Sequence, residues 1–76
     1  MDGLTEGRIV HLILTNGLHR PAIVTEVVDK EKGKVNLNVQ LSPTDALWSS
    51  GQPVISYQNI EYGENKILTW HWIEPA

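Results

Sequence analysis

Val35-Asn36-Leu37-Asn38-Val39-Gln40-Leu41 alternates apolar and amide side chains without a break. That pattern buries one face of a strand and wets the other, whereas on a helix it would scatter both kinds around the circumference. The rest of the chain agrees, because Val, Ile and Thr are plentiful and Ala is scarce, a balance that favours strands. The second strong local signal is Asn16-Gly17, which lies between two apolar-rich runs, Arg8 to Leu14 and His19 to Val28. Asn-Gly supplies the two positive-φ positions of a type I′ hairpin turn. A two-residue turn pairs Thr15 with Leu18, Leu14 with His19, Ile13 with Arg20 and His11 with Ala22. One face then carries Val10, Leu12, Leu14, His19, Pro21, Ile23 and Val27. The other carries Ile9, His11, Ile13, Arg20, Ala22, Val24 and Glu26, and the first is the better core face. Pro21 cannot donate to a ladder, so it requires an edge or a bulge.

Asp29 to Lys34 is a charged, glycine-containing loop that leads into the alternating strand. Ser42 to Gln52 is looser, with one helical turn expected after Ser42-Pro43. Val54 to Ile60 reads as a fourth strand, Tyr62-Gly63-Glu64-Asn65 as a turn, and Ile67 to Trp72 as a fifth strand closed by Glu74-Pro75. Five short strands with tight turns predict an all-β protein, a small five-stranded SH3-like barrel or strongly bent antiparallel sheet, with residues 1–76 forming one domain.

At 76 residues with 41% hydrophobic side chains, such a domain buries only about 60% of its unfolded surface, and its core is marginal. No cysteine is present, so neither a disulfide nor a thiolate metal site can supplement it. Self-association through open strand edges is the expected supplement, which predicts a homo-oligomer.

Six Lys and Arg stand against nine Asp and Glu, for a net charge of -3. The basic field that drives duplex DNA binding is missing, and the same balance disfavours a single-stranded nucleic-acid binder. The longest apolar run, Ile9 to Leu14, is interrupted by His11 and falls far short of the roughly 20 residues that span a bilayer. Met1 to Glu6 is acidic and has no hydrophobic signal core, so a cytoplasmic location without membrane contact is expected.

The turn register sets His11 and His19 on opposite faces of the first hairpin, and His71 has no companion nearby in sequence. A three-histidine zinc site is therefore not expected, and no metal or cofactor is assigned. On the apolar face, His19 reads as a hydrogen-bonded structural histidine. Serines lie in no nucleophile elbow or acid-base motif, and glycines form no phosphate loop, so the chain is not read as an enzyme. Trp70 and Trp72 share a strand face, opposite His71 and Thr69, and at least one of them is expected in the core. Trp48, in a loop, can either cap the barrel or stack on a base. Arg20 would share a face with His11 and form a small anion site, set against a solvated arginine or a bridge to Glu26. Asn36, Asn38 and Gln40 form an amide row that reads as solvated surface.

His19-Arg20-Pro21-Ala22-Ile23-Val24, Val35-Asn36-Leu37 and Thr69-Trp70-His71-Trp72 with Glu74 together resemble a family of very small phage-encoded proteins, over nearly the whole chain. Ile73 departs from the pattern, which has proline there. Within that family the chain resembles anti-CBASS sponges, oligomeric phage proteins that sequester cyclic dinucleotide alarm signals in the host cytoplasm without catalysis. The resemblance implies Arg20, His19 and His71 near phosphates or base edges, with Trp48, Tyr57 and Trp70 stacking on purines; His11, on the face expected for Arg20, completes the candidate ligand-binding set. The competing expectation is an SH3-like adaptor that binds a host or virion protein by strand addition or in an aromatic groove.

Overall fold

A computed structural model describes residues 1–73. Five strands, β1 (Ile9–Ile13), β2 (His19–Asp29), β3 (Lys34–Gln40), β4 (Val54–Tyr62) and β5 (Thr69–His71), close in sequence order into a barrel. The fold is all-β and SH3-like, with no helix among the described residues. Ser42 to Trp48 forms two consecutive turns where a helical turn was expected, with Asp45 N donating to Ser42 O at 2.8 Å and Trp48 N to Asp45 O at 3.1 Å. The expected closure at Glu74-Pro75 lies outside the described residues.

Neighbouring strands are antiparallel except β4 and β5, which run parallel through Glu61 opposite Thr69 and Tyr62 opposite Trp70. β5 also pairs with β1, placing His11 opposite His71 and Leu12 opposite Trp70. This three-residue strand therefore closes the barrel, and the open edges expected from the sequence are absent among the described strands. Closure removes the free backbone groups through which another chain could add a strand.

The first hairpin differs from the expected register by one residue. Leu14 N donates to Leu18 O at 2.8 Å and Gly17 N to Leu14 O at 2.9 Å, and Ile13 then lies opposite His19 and His11 opposite Pro21. The loop has three residues, Thr15-Asn16-Gly17, of which only Gly17 takes a positive φ, +85°. Asn16 instead contributes its side chain, whose Oδ1 accepts the Leu18 N–H at 3.0 Å. A turn followed by one left-handed glycine suits a three-residue hairpin, whereas a type I′ turn needs positive φ at both central residues.

A shift of one residue exchanges the two faces of a strand. The core face carries Val10, Leu12, Leu14, Ala22 and Val24, all buried, while His19, Pro21 and Ile23 are exposed on the outer face. Pro21 falls at a non-hydrogen-bonded position toward β1, because the flanking ladder bonds run at Leu14–Leu18 and Arg8–Val24. Its pairing with β3 begins one residue later, at Ala22 opposite Val39. The missing N–H is thus not called for.

β3 is as the alternation predicts, with Val35, Leu37 and Val39 buried. They meet Leu4, Ile60 and Trp70 in one core, with Tyr62 and Trp72 packed against it. Trp70 is fully buried, edge-on to Tyr62 and to Trp72 at 5.0 Å each. Its indole N–H donates to Gly33 O at 2.6 Å. In a chain without Phe this ring is the largest wholly buried side chain, and its one polar atom is satisfied.

Candidate functional site

The corrected hairpin register determines where the histidines sit. β1 lies between β2 and β5, and His11, His19 and His71 all project to the outer side of these strands, away from Leu12 and Trp70. His71 is directly across from His11, and His19 is diagonal to it, since His11 opposes Pro21 two residues on. Diagonal neighbours of this kind come within reach of long or aromatic side chains. Ring centroids stand 6.2 Å apart for His11–His19, 5.5 Å for His11–His71 and 4.8 Å for His19–His71, all edge to face. His71 is only 3% exposed, His11 is half-buried and His19 is exposed, so the cluster is graded from a fixed floor to a free rim.

One ring nitrogen from each histidine lies within 4.8 Å of the other two. The expectation that these residues cannot meet is overturned, as is the reading of His19 as a histidine of the apolar face. Imidazole nitrogens can donate to an anion, accept a proton or ligate a transition metal. Among the described residues, these three form the group that could hold a metal ion.

Arg20 does not share a face with His11 as expected, because it pairs with Leu12. Its Nε and Nη2 grip the Asp45 carboxylate at 2.7 Å and 2.6 Å. Nη1 donates to His19 O at 3.0 Å, and Ser42 N donates to Asp45 Oδ2 at 2.7 Å. The Arg20 hydrogen bonds, aided by the Ser42 N–H, hold the Asp45 carboxyl below its ordinary range, against the opposing effect of burial. Arg20 is therefore a positioning residue that ties the 42–48 loop to the strand bearing His19, and its partner is Asp45 and not Glu26. Glu26 instead accepts from Asn36 Nδ2 at 3.0 Å. The other guanidinium, Arg8, lies over the Trp72 ring at 5.2 Å.

The aromatic candidates separate. Trp70, expected to stack on a ligand, is unavailable in the core. Trp48 and Tyr57 are half-buried, Trp48 in the Asp45 loop and Tyr57 opposite Leu37 on β4. Two of the three amides serve the barrel itself: Asn36 Oδ1 accepts Asn59 N at 3.0 Å and Asn38 Oδ1 accepts Ser56 Oγ at 2.8 Å, while Gln40 is exposed. Asp45 was not foreseen, although Ser42-Pro43-Thr44-Asp45 carries the half of a capping box in which the fourth residue reaches back to the first N–H.

Comparison of the chain with protein-family models, with curated proteins and with solved structures gives no match.

Proposed function

We propose that this chain is a non-enzymatic binding protein that sequesters a cyclic dinucleotide, as the anti-CBASS sponges it resembles do. The observation that carries this reading is the convergence of the two motifs behind the resemblance. His19 of His-Arg-Pro-Ala and His71 of Thr-Trp-His-Trp come from strands far apart in the chain, yet their rings are 4.8 Å apart.

The physical case is one of charge. A cyclic dinucleotide is a dianion, and the chain carries -3 with Arg20 engaged by Asp45 and Arg8 by Trp72. Anion recognition then falls to the histidine cluster, which presents donors at one place without a general basic field. Trp48 remains as a stacking group for the bases, whereas Tyr57, opposite the buried Leu37, packs against the core. A two-fold ligand suits a symmetric homo-oligomer interface. Ile9 and Ile23, opposite each other and 52% and 39% exposed, offer apolar area for one beside His11 and Pro21.

That outward apolar pair is also what favours the second reading, an adaptor for a host or virion protein. Docking on the barrel face is then the favoured mode, because the described strands close into a barrel with no edge left among them for strand addition. Calorimetric titration against a panel of cyclic dinucleotides tests the first reading. Binding that is weakened at least about tenfold by His19→Ala and left unchanged by Lys32→Ala is expected. If no member of the panel binds at high micromolar concentration, the sequestration reading fails and the adaptor reading takes its place.

A further inference from the structure

We infer that His11, His19 and His71 form a binding site for one divalent transition-metal ion of the zinc class, on the outer face where β2, β1 and β5 lie side by side. The donor set is three imidazoles with no carboxylate or thiolate among them. Imidazole donors suit zinc, copper, nickel and cobalt, while calcium and magnesium demand oxygen ligands.

The geometry is close to what such an ion requires. A tetrahedral ion with metal–nitrogen bonds of about 2.0–2.1 Å holds its nitrogens roughly 3.4 Å apart. Here the three nitrogens lie within 4.8 Å of one another, so each pair must close by roughly 1.4 Å at most, a distance covered by rotation about χ1 and χ2. The grading of burial assigns that movement. His71, buried, supplies the fixed ligand, and the half-buried His11 across the strand ladder from it turns toward it. The exposed His19 supplies the one that swings in. Its backbone is anchored, since Arg20 Nη1 holds the His19 carbonyl while the same guanidinium grips Asp45.

Simple edge-to-face packing of three rings is the competing account. It explains the buried His71 but gives little reason for the exposed His19 to lean over the other two, because an exposed ring gains little from burial. A metal ion explains the convergence of all three. Three protein ligands leave one coordination position open, and a doubly charged ion there concentrates positive charge at one point of a chain whose net charge is -3. On the sequestration reading, that open position would accept a phosphodiester oxygen, whereas the metal site itself does not depend on that reading.

The test is a titration of chelator-treated protein with Co²⁺ and Zn²⁺, followed by cobalt visible absorption and by calorimetry. One equivalent of ion is expected, with binding weakened about tenfold or more in His19→Ala. His19 is exposed, so this variant keeps its fold, checked by circular dichroism, and His11→Ala is a second probe. Failure of either ion to bind at one equivalent overturns the site, as does stoichiometric binding that His19→Ala and His11→Ala leave unchanged. Cyclic dinucleotide titrations of the chelated and the metal-loaded protein separate the two proposals. An ion that binds without any dinucleotide following keeps the site and removes the sequestration reading. A dinucleotide that binds protein unable to take up metal does the reverse.

Discussion

Leu18 O accepts the Leu14 N–H at 2.8 Å, and this one bond decides which way every side chain of the first hairpin points. It closes a three-residue loop, sends Leu14 and Leu12 inward, and turns His19 outward to meet His11 and His71. The geometry of the histidine cluster is thus set by the conformation of Gly17, whose φ is +85°.

Gly17→Ala is expected to lower stability by about 1–2 kcal/mol, the cost of holding a residue with a Cβ in left-handed backbone. No atom lies within 4 Å of the added carbon, so the cost is conformational and the fold persists. A fall in melting temperature of roughly 4–8 °C per kcal/mol follows for a domain of this size. An unchanged melting temperature would show that the loop tolerates the substitution and that the register is held elsewhere.

Asp45→Asn probes the link between β2 and the 42–48 loop. The Arg20 hydrogen bonds lower the Asp45 pKa in the folded state, so the ionised carboxylate stabilises the fold at pH values above the unfolded value of about 3.9. That contribution is lost as pH falls through the lower, folded pKa. The variant should melt below wild type at pH 7, and the gap should narrow in acid below about pH 4. A gap that stays constant between pH 7 and pH 3 would mean that the pair stabilises by shape and not by charge.

Trp70→Phe separates packing from hydrogen bonding in the core. It removes the donor to Gly33 O, leaving a carbonyl unpaired at about 1–3 kcal/mol, in addition to the cavity left by the smaller ring. Gly33 has little freedom to adjust, since a side chain there would meet Met1 and Tyr62 at about 3 Å. Chemical denaturation should show a clear loss for Trp70→Phe, and Trp70→Ala should be largely unfolded. Equal midpoints for wild type and Trp70→Phe would show that the indole N–H contributes nothing.

Much of the barrel is legible in the residues. The alternation from Val35 to Leu41 marks a strand with one buried face, and the absence of Phe points to tryptophan in the core. The site was not legible, because it depends on quantities that local patterns do not contain. Asn-Gly is compatible with loops of two or three residues, and the choice between them reverses the faces of β2 relative to β1, so His11 and His19 appear separated when they are neighbours. His71 joins them only because β5 crosses to pair with β1, a contact between the two ends of the chain that no short-range spacing encodes. From the sequence Arg20 offers an anion site, a solvated arginine or a bridge to Glu26, and its partner Asp45 is missed because it lies in an irregular loop, where periodicity gives no position.

Gly63→Ala tests whether the site depends on the seating of β5. A Cβ at Gly63 would stand 2.8 Å from Thr69 Oγ1 and 2.9 Å from Thr69 Cβ, too close for either residue to stay in place. Gly63 N also donates to Trp70 O at 2.9 Å, so the strand and the turn before it are held as a unit. Leu68 adds to the constraint: its φ is +56°, an uncommon conformation for a leucine, and its N–H donates to Ile13 O at 2.7 Å. β5 is short, so displacing Thr69 moves His71 as well. An overpacking cost of about 1–3 kcal/mol is expected, together with weaker Co²⁺ binding even in the fraction of protein that stays folded. Lower stability with unchanged metal affinity would show that β5 shifts along its own axis without disturbing His71, and the ligand geometry would then be governed by β1 and β2 alone.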